Sequence, residues 1–160
     1  MMIVGIDPGQ DGAIAFIRPG SSVNICDVHK MPLSGKGVDC EAICKLITMA
    51  GNVSLAVVEC VHSMPKQGVS SSFQFGRTLG RIEGVIRTLR IPLAMPTPQA
   101  WKKLVLAGTK KDKDAAIDYV RRMYPSAQLI QPGCRVPDHN IADSVCLAEF
   151  GRLMLHGGGV

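Results

Sequence analysis

A mixed five-stranded α/β sheet flanked by helices is the fold this sequence predicts, and three observations carry it. The first 30 residues hold three short apolar runs separated by turn compositions, the pattern of an antiparallel meander. From residue 39 onward, apolar runs of strand type alternate with segments of helical period, the pattern of β/α units. The resulting order βββαβαβα plus a last helix closes one mixed sheet, three strands antiparallel and the rest parallel. With 160 residues, 46% hydrophobic and 19% charged, the chain is expected to bury one core as a single domain over residues 1–160, not to stay disordered.

The meander comprises residues 2–7, about 13–18 and about 22–30, with "DPGQDG" and "PGSS" as its turns. "PLSGKG" reads as a loop, after which Asp39 caps a helix carrying Ile43, Leu46 and Ile47. "SLAVVEC" at 54–60 is an apolar run of buried-strand type that ends on Glu59. Residues 70–90 form the strongest helix, with Phe75, Leu79, Ile82, Ile86 and Leu89 on one stripe. Gly76, Gly80 and Gly84 lie four apart on the adjoining stripe. Each costs about 1 kcal/mol against alanine, so a closely approaching backbone is expected there. The domain's own sheet is the first expectation for that backbone, and a second copy of the chain is the other. "IPLAMPTP" then gives a short strand, "PQAWKKLVLAG" a short helix and "KDAAIDYVRRMYP" a helix stopped by Pro125. A final helix at about 139–155 carries Asp143 in its first turn, with Val145, Leu147, Ala148 and Leu153 among its apolar residues.

Composition narrows the function. No apolar run reaches the ~18 residues of a membrane span, and the first residues read as a strand with no basic leader, so an intracellular protein is expected. Cys26, Cys40, Cys44, Cys60, Cys134 and Cys146 show no zinc-ligand spacing and are expected to be reduced and mostly buried. A net charge of +5 favours a polyanionic partner, nucleic acid first.

Three carboxylates suggest the chemistry. Asp7 ends the first strand before "PGQDG", Glu59 ends the fourth, and Asp143 lies at the start of the last helix, so all three can meet at one sheet edge. Three like charges need a cation. Hard oxygen ligands suit Mg²⁺ or Mn²⁺, and a pair of such ions supports phosphodiester hydrolysis. Each acid also has a plainer reading, as turn residue, solvated strand end and helix-dipole partner respectively, but three such coincidences at one edge are less economical than one metal site.

The motifs "GIDPG", "VVEC", "GRTLGRIEGVI", "KDAAIDYV" and "DHNIADSVCLAEF", in this order and nearly end to end, resemble those of RuvC-type Holliday junction resolvases, most closely in pattern the phage and chloroplast members. The resemblance implies a ribonuclease H-like fold and a homodimeric endonuclease that cuts four-way DNA junctions by symmetric paired nicks. It implies two Mg²⁺ ions per site, with Mn²⁺ as a substitute, held by Asp7, Glu59, Asp143 and a fourth ligand. Asp7 would bridge the ions. The fourth ligand is open between His139, on the helix face of Asp143, and Asp138 at the cap; Asn140 stands where many relatives have a carboxylate. Lys113 matches a basic residue near the scissile phosphate, where it would stabilise developing charge. Lys66, Arg77, Arg81, Lys102, Lys103, Lys110, Lys111 and Lys113 are candidates for a DNA-binding patch. The loop after Glu59 corresponds to a segment that wedges into the junction, with His62, Met64 and Phe73 in that place. The dimer is expected through the 70–90 helix, and the cytoplasm of a bacterial or phage-infected cell is expected ahead of an organelle matrix.

Other classes fit less well. An actin-like ATPase or sugar kinase also opens with a "GIDxG" run but needs a second lobe that 160 residues do not supply. A non-catalytic nucleic-acid-binding module would not need three converging acids. Within the nucleases, an enzyme acting on RNA/DNA hybrid or an RNA precursor shares the three-acid core, while the 76–89 stretch and "DHNIAD" fit junction resolvases better.

Overall fold

The computed structural model describes residues 1–18, 25–60, 68–109, 112 and 114–157. Its central sheet contains β1 (Met2–Asp7), β2 (Ala13–Arg18), β3 (Ile25–Lys30), β6 (Val53–Val58) and β7 (Leu93–Ala94) in the order β3-β2-β1-β6-β7. The first three strands pair antiparallel, and β1–β6 and β6–β7 pair parallel. Five helices accompany it among the described residues: α1 (Cys40–Met49), α2 (Val69–Thr88), α3 (Pro98–Val105), α4 (Ala115–Met123) and α5 (His139–Gly157). The predicted five-stranded mixed sheet is therefore present.

The two-residue period of the strands sorts side chains into two cores. Val4, Ile6, Ile14, Phe16, Ala56 and Val58 face α1 and α2, where Ile43, Ile47, Ile82 and Ile86 complete one cluster. Ile3, Ala13, Ala15, Ile17, Leu55 and Val57 face α3, α4 and α5 in the other. Residues on this second face are small near the middle of the sheet. A Cβ on Gly5 would collide with the backbone of Ser144 and Ala148, so the glycine lets α5 lie directly on β1. Gly151 repeats the device further along, where a Cβ would sit 2.7 Å from Val57 Cγ2.

Caps and turns follow the sequence. Asp39 accepts the Ala42 N–H at 3.0 Å to start α1, and α3 starts on Thr97 with Pro98 in its first turn.

Several expectations are corrected. "PLSGKG" is not a plain loop but contributes to a small hairpin of β4 (Leu33–Ser34) and β5 (Gly37–Val38), because Gly35 supplies the positive φ of its turn. Asp143 lies in the second turn of α5, since the helix already begins at His139. Gly76, Gly80 and Gly84 do not pack on the domain's own sheet: each is exposed, and a Cβ there would meet nothing within 4 Å. The cysteines are free but not mostly buried; only Cys26 and Cys146 are. No described helix is long and apolar enough to cross a membrane.

Candidate metal centre

Strand register and parity build the site. Asp7 pairs with Ala13 across β1–β2, and Ala13 pairs with Lys30 across β2–β3, so Asp7 and Lys30 occupy one row at one end of the sheet. On the other flank Ile6 pairs with Val58, and the Glu59 N–H donates to the Ile6 carbonyl at 3.1 Å, carrying the parallel ladder one residue past β6. Counting in twos, Asp7 shares its face with Ile3 and Gly5, Glu59 with Leu55 and Val57, and Lys30 with Cys26 and Val28. All three side chains thus leave the backbone on the α5 face.

The turn after Asp7 has little room. A Cβ on Gly12 would collide with the Asp7 carbonyl and approach Gly9 O to 2.7 Å, and the Gly12 N–H donates to that Gly9 oxygen at 3.0 Å. The turn is anchored from both sides through the Asp11 carbonyl, which accepts from Lys30 Nζ and, at 2.9 Å, from Asn140 Nδ2. Asp11 therefore takes part through its backbone, and its carboxyl group is exposed.

Because α5 sits on Gly5, Asp143 comes within electrostatic reach of the strand-end acids. Burial, then the Glu59 and Asp143 charges, raise the Asp7 carboxyl to about 7, against weaker lowering by the Gly9 N–H and Lys30. Burial raises Asp143 to about 6; Lys102 and His139 oppose this shift and Glu59 adds to it. The structure thus brings Asp7, Glu59 and Asp143 together as three mutually repelling, half-buried acids.

Their surroundings differ from the sequence expectation in detail. Asp138 is turned to other tasks: its Oδ1 accepts the Asn140 and Ile141 N–H groups at 2.9 and 3.3 Å as the cap of α5, and its Oδ2 accepts from Lys30 Nζ at 2.8 Å. These bonds outweigh the desolvation that would raise its pKa and hold it below the usual carboxylate value. His139, the other fourth-ligand candidate, is engaged less fully. It acts electrostatically on Asp143, while its Nε2 lies 3.5 Å from Asp114 Oδ1.

Two participants were not foreseen. Lys30 enters through the β2–β3 register, and the parity of "CDVHK" was the signal that could have revealed it. Trp101 is fully buried and donates its Nε1–H to Glu59 Oε1 at 2.7 Å.

The donor set, three acids on rigid elements with an imidazole beside them, suits a hard divalent cation. Among the described residues, however, no three His, Cys, Asp or Glu side chains already form a ligand shell. The acids are neighbours whose charges repel, not a closed cage.

Of the basic candidates, Arg77, Lys102 and Lys103 are exposed, and Arg81 is half-buried beside Cys40 and Cys44. Phe73 is 66% exposed on α2. His62, Met64, Lys66, Lys110, Lys111 and Lys113 lie outside the described residues.

No family model matches the chain, and no curated protein does. Solved structures do. Thermus thermophilus RuvC in complex with Holliday junction substrate is similar at TM-score 0.72 and 16% identity, covering 99% of this chain and 96% of that one. The yeast mitochondrial Holliday junction resolvase is similar at TM-score 0.60 and 12% identity, covering 92% of this chain and 76% of that one. The Fowlpox virus resolvase bound to junction DNA follows at TM-score 0.55 and 17% identity, covering 92% and 95% respectively. At these identities the likeness establishes the fold: the chain folds as the RuvC-type, ribonuclease H-like resolvases do.

Proposed function

We propose that this chain is a Mg²⁺-dependent endonuclease that resolves four-way DNA junctions by paired phosphodiester hydrolysis. The observation that carries this reading is the convergence of Asp7, Glu59 and Asp143 on one end of a resolvase-like sheet, with Asp7 raised to about 7 by burial and by its two acidic neighbours. Resolvases of this fold have been solved with junction DNA, which supports the same substrate here.

Asp7, Glu59 and Asp143 would hold the metal, with His139 in preference to Asp138 as the fourth ligand. Two divalent ions, when bound, would supply Lewis-acid stabilisation of the attacking and leaving oxygens. The chain's own residues supply the rest. Lys30 and Asn140 anchor the glycine turn through the Asp11 carbonyl, and the Gly9 N–H of that turn bonds the Asp7 carboxyl, so a DNA backbone would approach Asp7 over a turn with few side chains. Lys102 and Lys103 on α3, and Arg77 on α2, present exposed charge for phosphate contacts.

Paired nicks need two active sites, and α2 offers the surface for a second copy. Its glycine stripe is open, Phe73 and Val69 are 66% and 88% exposed, and among the described residues nothing packs on the glycines to offset the roughly 1 kcal/mol that each costs in a helix.

The test is a synthetic four-way junction, incubated with the protein and Mg²⁺, read on denaturing gels beside linear duplex and RNA/DNA hybrid. Symmetric nicks confined to the junction are expected. Asp7→Asn should lower cutting by roughly 10³-fold or more while junction binding persists. Equal cutting of linear duplex, or cutting of hybrid alone, would overturn the proposal.

A further inference from the structure

We infer that Trp101 is a positioning residue for Glu59, fixing one of its carboxylate oxygens so that the other is presented to a cation. The inference rests on the metal-centre reading above and goes beyond it by assigning a role to a residue that bears no charge and no metal-ligating atom.

The geometry is specific. Trp101 is fully buried in the core between α5 and the sheet, so its single polar atom must find a partner there or lose its hydrogen bonds to water without replacement. That partner is Glu59 Oε1, at 2.7 Å. Glu59 stands one residue past the end of β6, where backbone bonds to Ile6 and, from Cys60, to Pro96 fix the main chain but leave the carboxylate free to sample several rotamers without a partner.

An indole suits this task. It donates one hydrogen bond, accepts none and cannot ionise, so it can orient the acid without competing for metal or neutralising it. A lysine or arginine in its place would neutralise Glu59. The ring itself is held by α3, whose start is fixed by the Thr97 cap and Pro98. The next residue uses the other side of the same group: Lys102 Nζ lies 5.1 Å from the Trp101 ring centroid, and its charge acts on Asp143. One helical turn thereby bonds one of the three acids and acts electrostatically on a second.

Groups that orient metal ligands from behind typically change metal affinity by ~10–100-fold when removed. Trp101→Phe keeps the aromatic body and deletes only the N–H. In thermal melts against Mg²⁺ alone, the midpoint of the Mg²⁺-induced rise in Tm should move to ~10–100-fold higher Mg²⁺ in this variant. Metal-free junction binding should not change, and kcat should recover at saturating Mg²⁺.

Trp101 is also the only tryptophan in the chain, which gives a second reading that does not depend on any variant folding. The intrinsic emission of the unmodified protein should shift on adding Mg²⁺, with the same midpoint as the Tm rise. An unmodified protein whose Tm ignores Mg²⁺ overturns both this inference and the metal centre. A Tm that responds while the emission does not, or a Trp101→Phe midpoint within about twofold of the parent, overturns the role of Trp101 and leaves the metal centre standing.

Discussion

Helix α5 carries two acids six residues apart, half-buried Asp143 and buried Glu149, and the structure treats them in opposite ways. Glu149 is 1% exposed and receives four donors: the Tyr119 and Tyr124 hydroxyls at 3.0 and 2.5 Å, and Arg152 Nε and Nη2 at 2.6 and 2.7 Å. Desolvation raises its pKa, but the bonds from Arg152 and Tyr124 more than offset that, and it stays below the usual glutamate range. Asp143, with Asp7 and Glu59, faces other acids, and both aspartates are raised. Desolvation raises carboxyls in both clusters, so desolvation alone does not distinguish the candidate site. What distinguishes the Asp143 cluster is that its aspartates stay raised although Lys30, Lys102 and His139 act against the shift. The Glu149 cluster ties α4 to α5 and is complete, with every donor supplied by the protein.

The largest expected effects come from removing one acid from each cluster. Glu149→Gln leaves Arg152 without its counter-ion and should cost about 3 kcal/mol of stability. Asp143→Asn should do the reverse in metal-free protein near neutral pH, raising stability by about 1–2 kcal/mol as a desolvated charge disappears, while junction cutting is lost. Chemical denaturation of the two variants beside the parent checks the pair. Destabilisation by both would mean that Asp143 is as well compensated as Glu149, and the contrast would collapse.

A second, smaller effect lies in the pH dependence. Asp7 and Asp143 hold protons in the folded chain at pH values where the unfolded chain, with carboxyl groups near 3.8, has released them. Their contribution to stability is therefore full below that value and is lost as pH rises through about 6 for Asp143 and about 7 for Asp7. Glu149 runs the other way: its contribution is present above the ordinary value of 4.5 and is lost as pH falls through its lowered pKa. Between about pH 5 and pH 7.5 the metal-free protein should lose on the order of 2 kcal/mol, and saturating Mg²⁺ should flatten that decline. A metal-free stability that is level or rising over this interval would contradict the uncompensated state of the site.

How much of this was legible in the sequence follows the same division. Asp7, Glu59 and Asp143 could be placed because strand ends and helix starts are local signals, and parallel pairing of two apolar runs puts their ends together. The antiparallel-then-parallel character of the sheet was legible for the same reason. Lys30 and Trp101 were harder, since each reaches the site from an element whose position depends on tertiary packing: the β2–β3 register in one case, the seating of α3 against the sheet in the other. The glycine stripe of α2 was read toward its own sheet because periodicity identifies a face without saying what that face meets. Asp138 was read as a ligand candidate because spacing cannot show that Lys30, distant in sequence, already occupies its second oxygen.

Lys30 gives the smallest expected effect and the finest test of the comparison. Like Arg152, it pairs with an acid, here the cap of α5, but the Lys30–Asp138 pair is 37% and 21% exposed, whereas the acid paired with Arg152 is fully enclosed. Water can therefore replace much of what Lys30 supplies, and Lys30→Met should cost no more than about 1 kcal/mol overall. Its distinctive consequence is electrostatic. Lys30 is a cation that holds Asp7 down, so its removal should push the Asp7 carboxyl further up and steepen the loss of metal-free stability between about pH 5 and pH 7.5. Lys30→Arg should restore the parent slope. If Lys30→Met instead destabilised as much as Glu149→Gln at every pH, Lys30 would be an anchor of the Arg152 kind, and part of the charge assigned to the candidate metal centre would already be compensated by the protein itself.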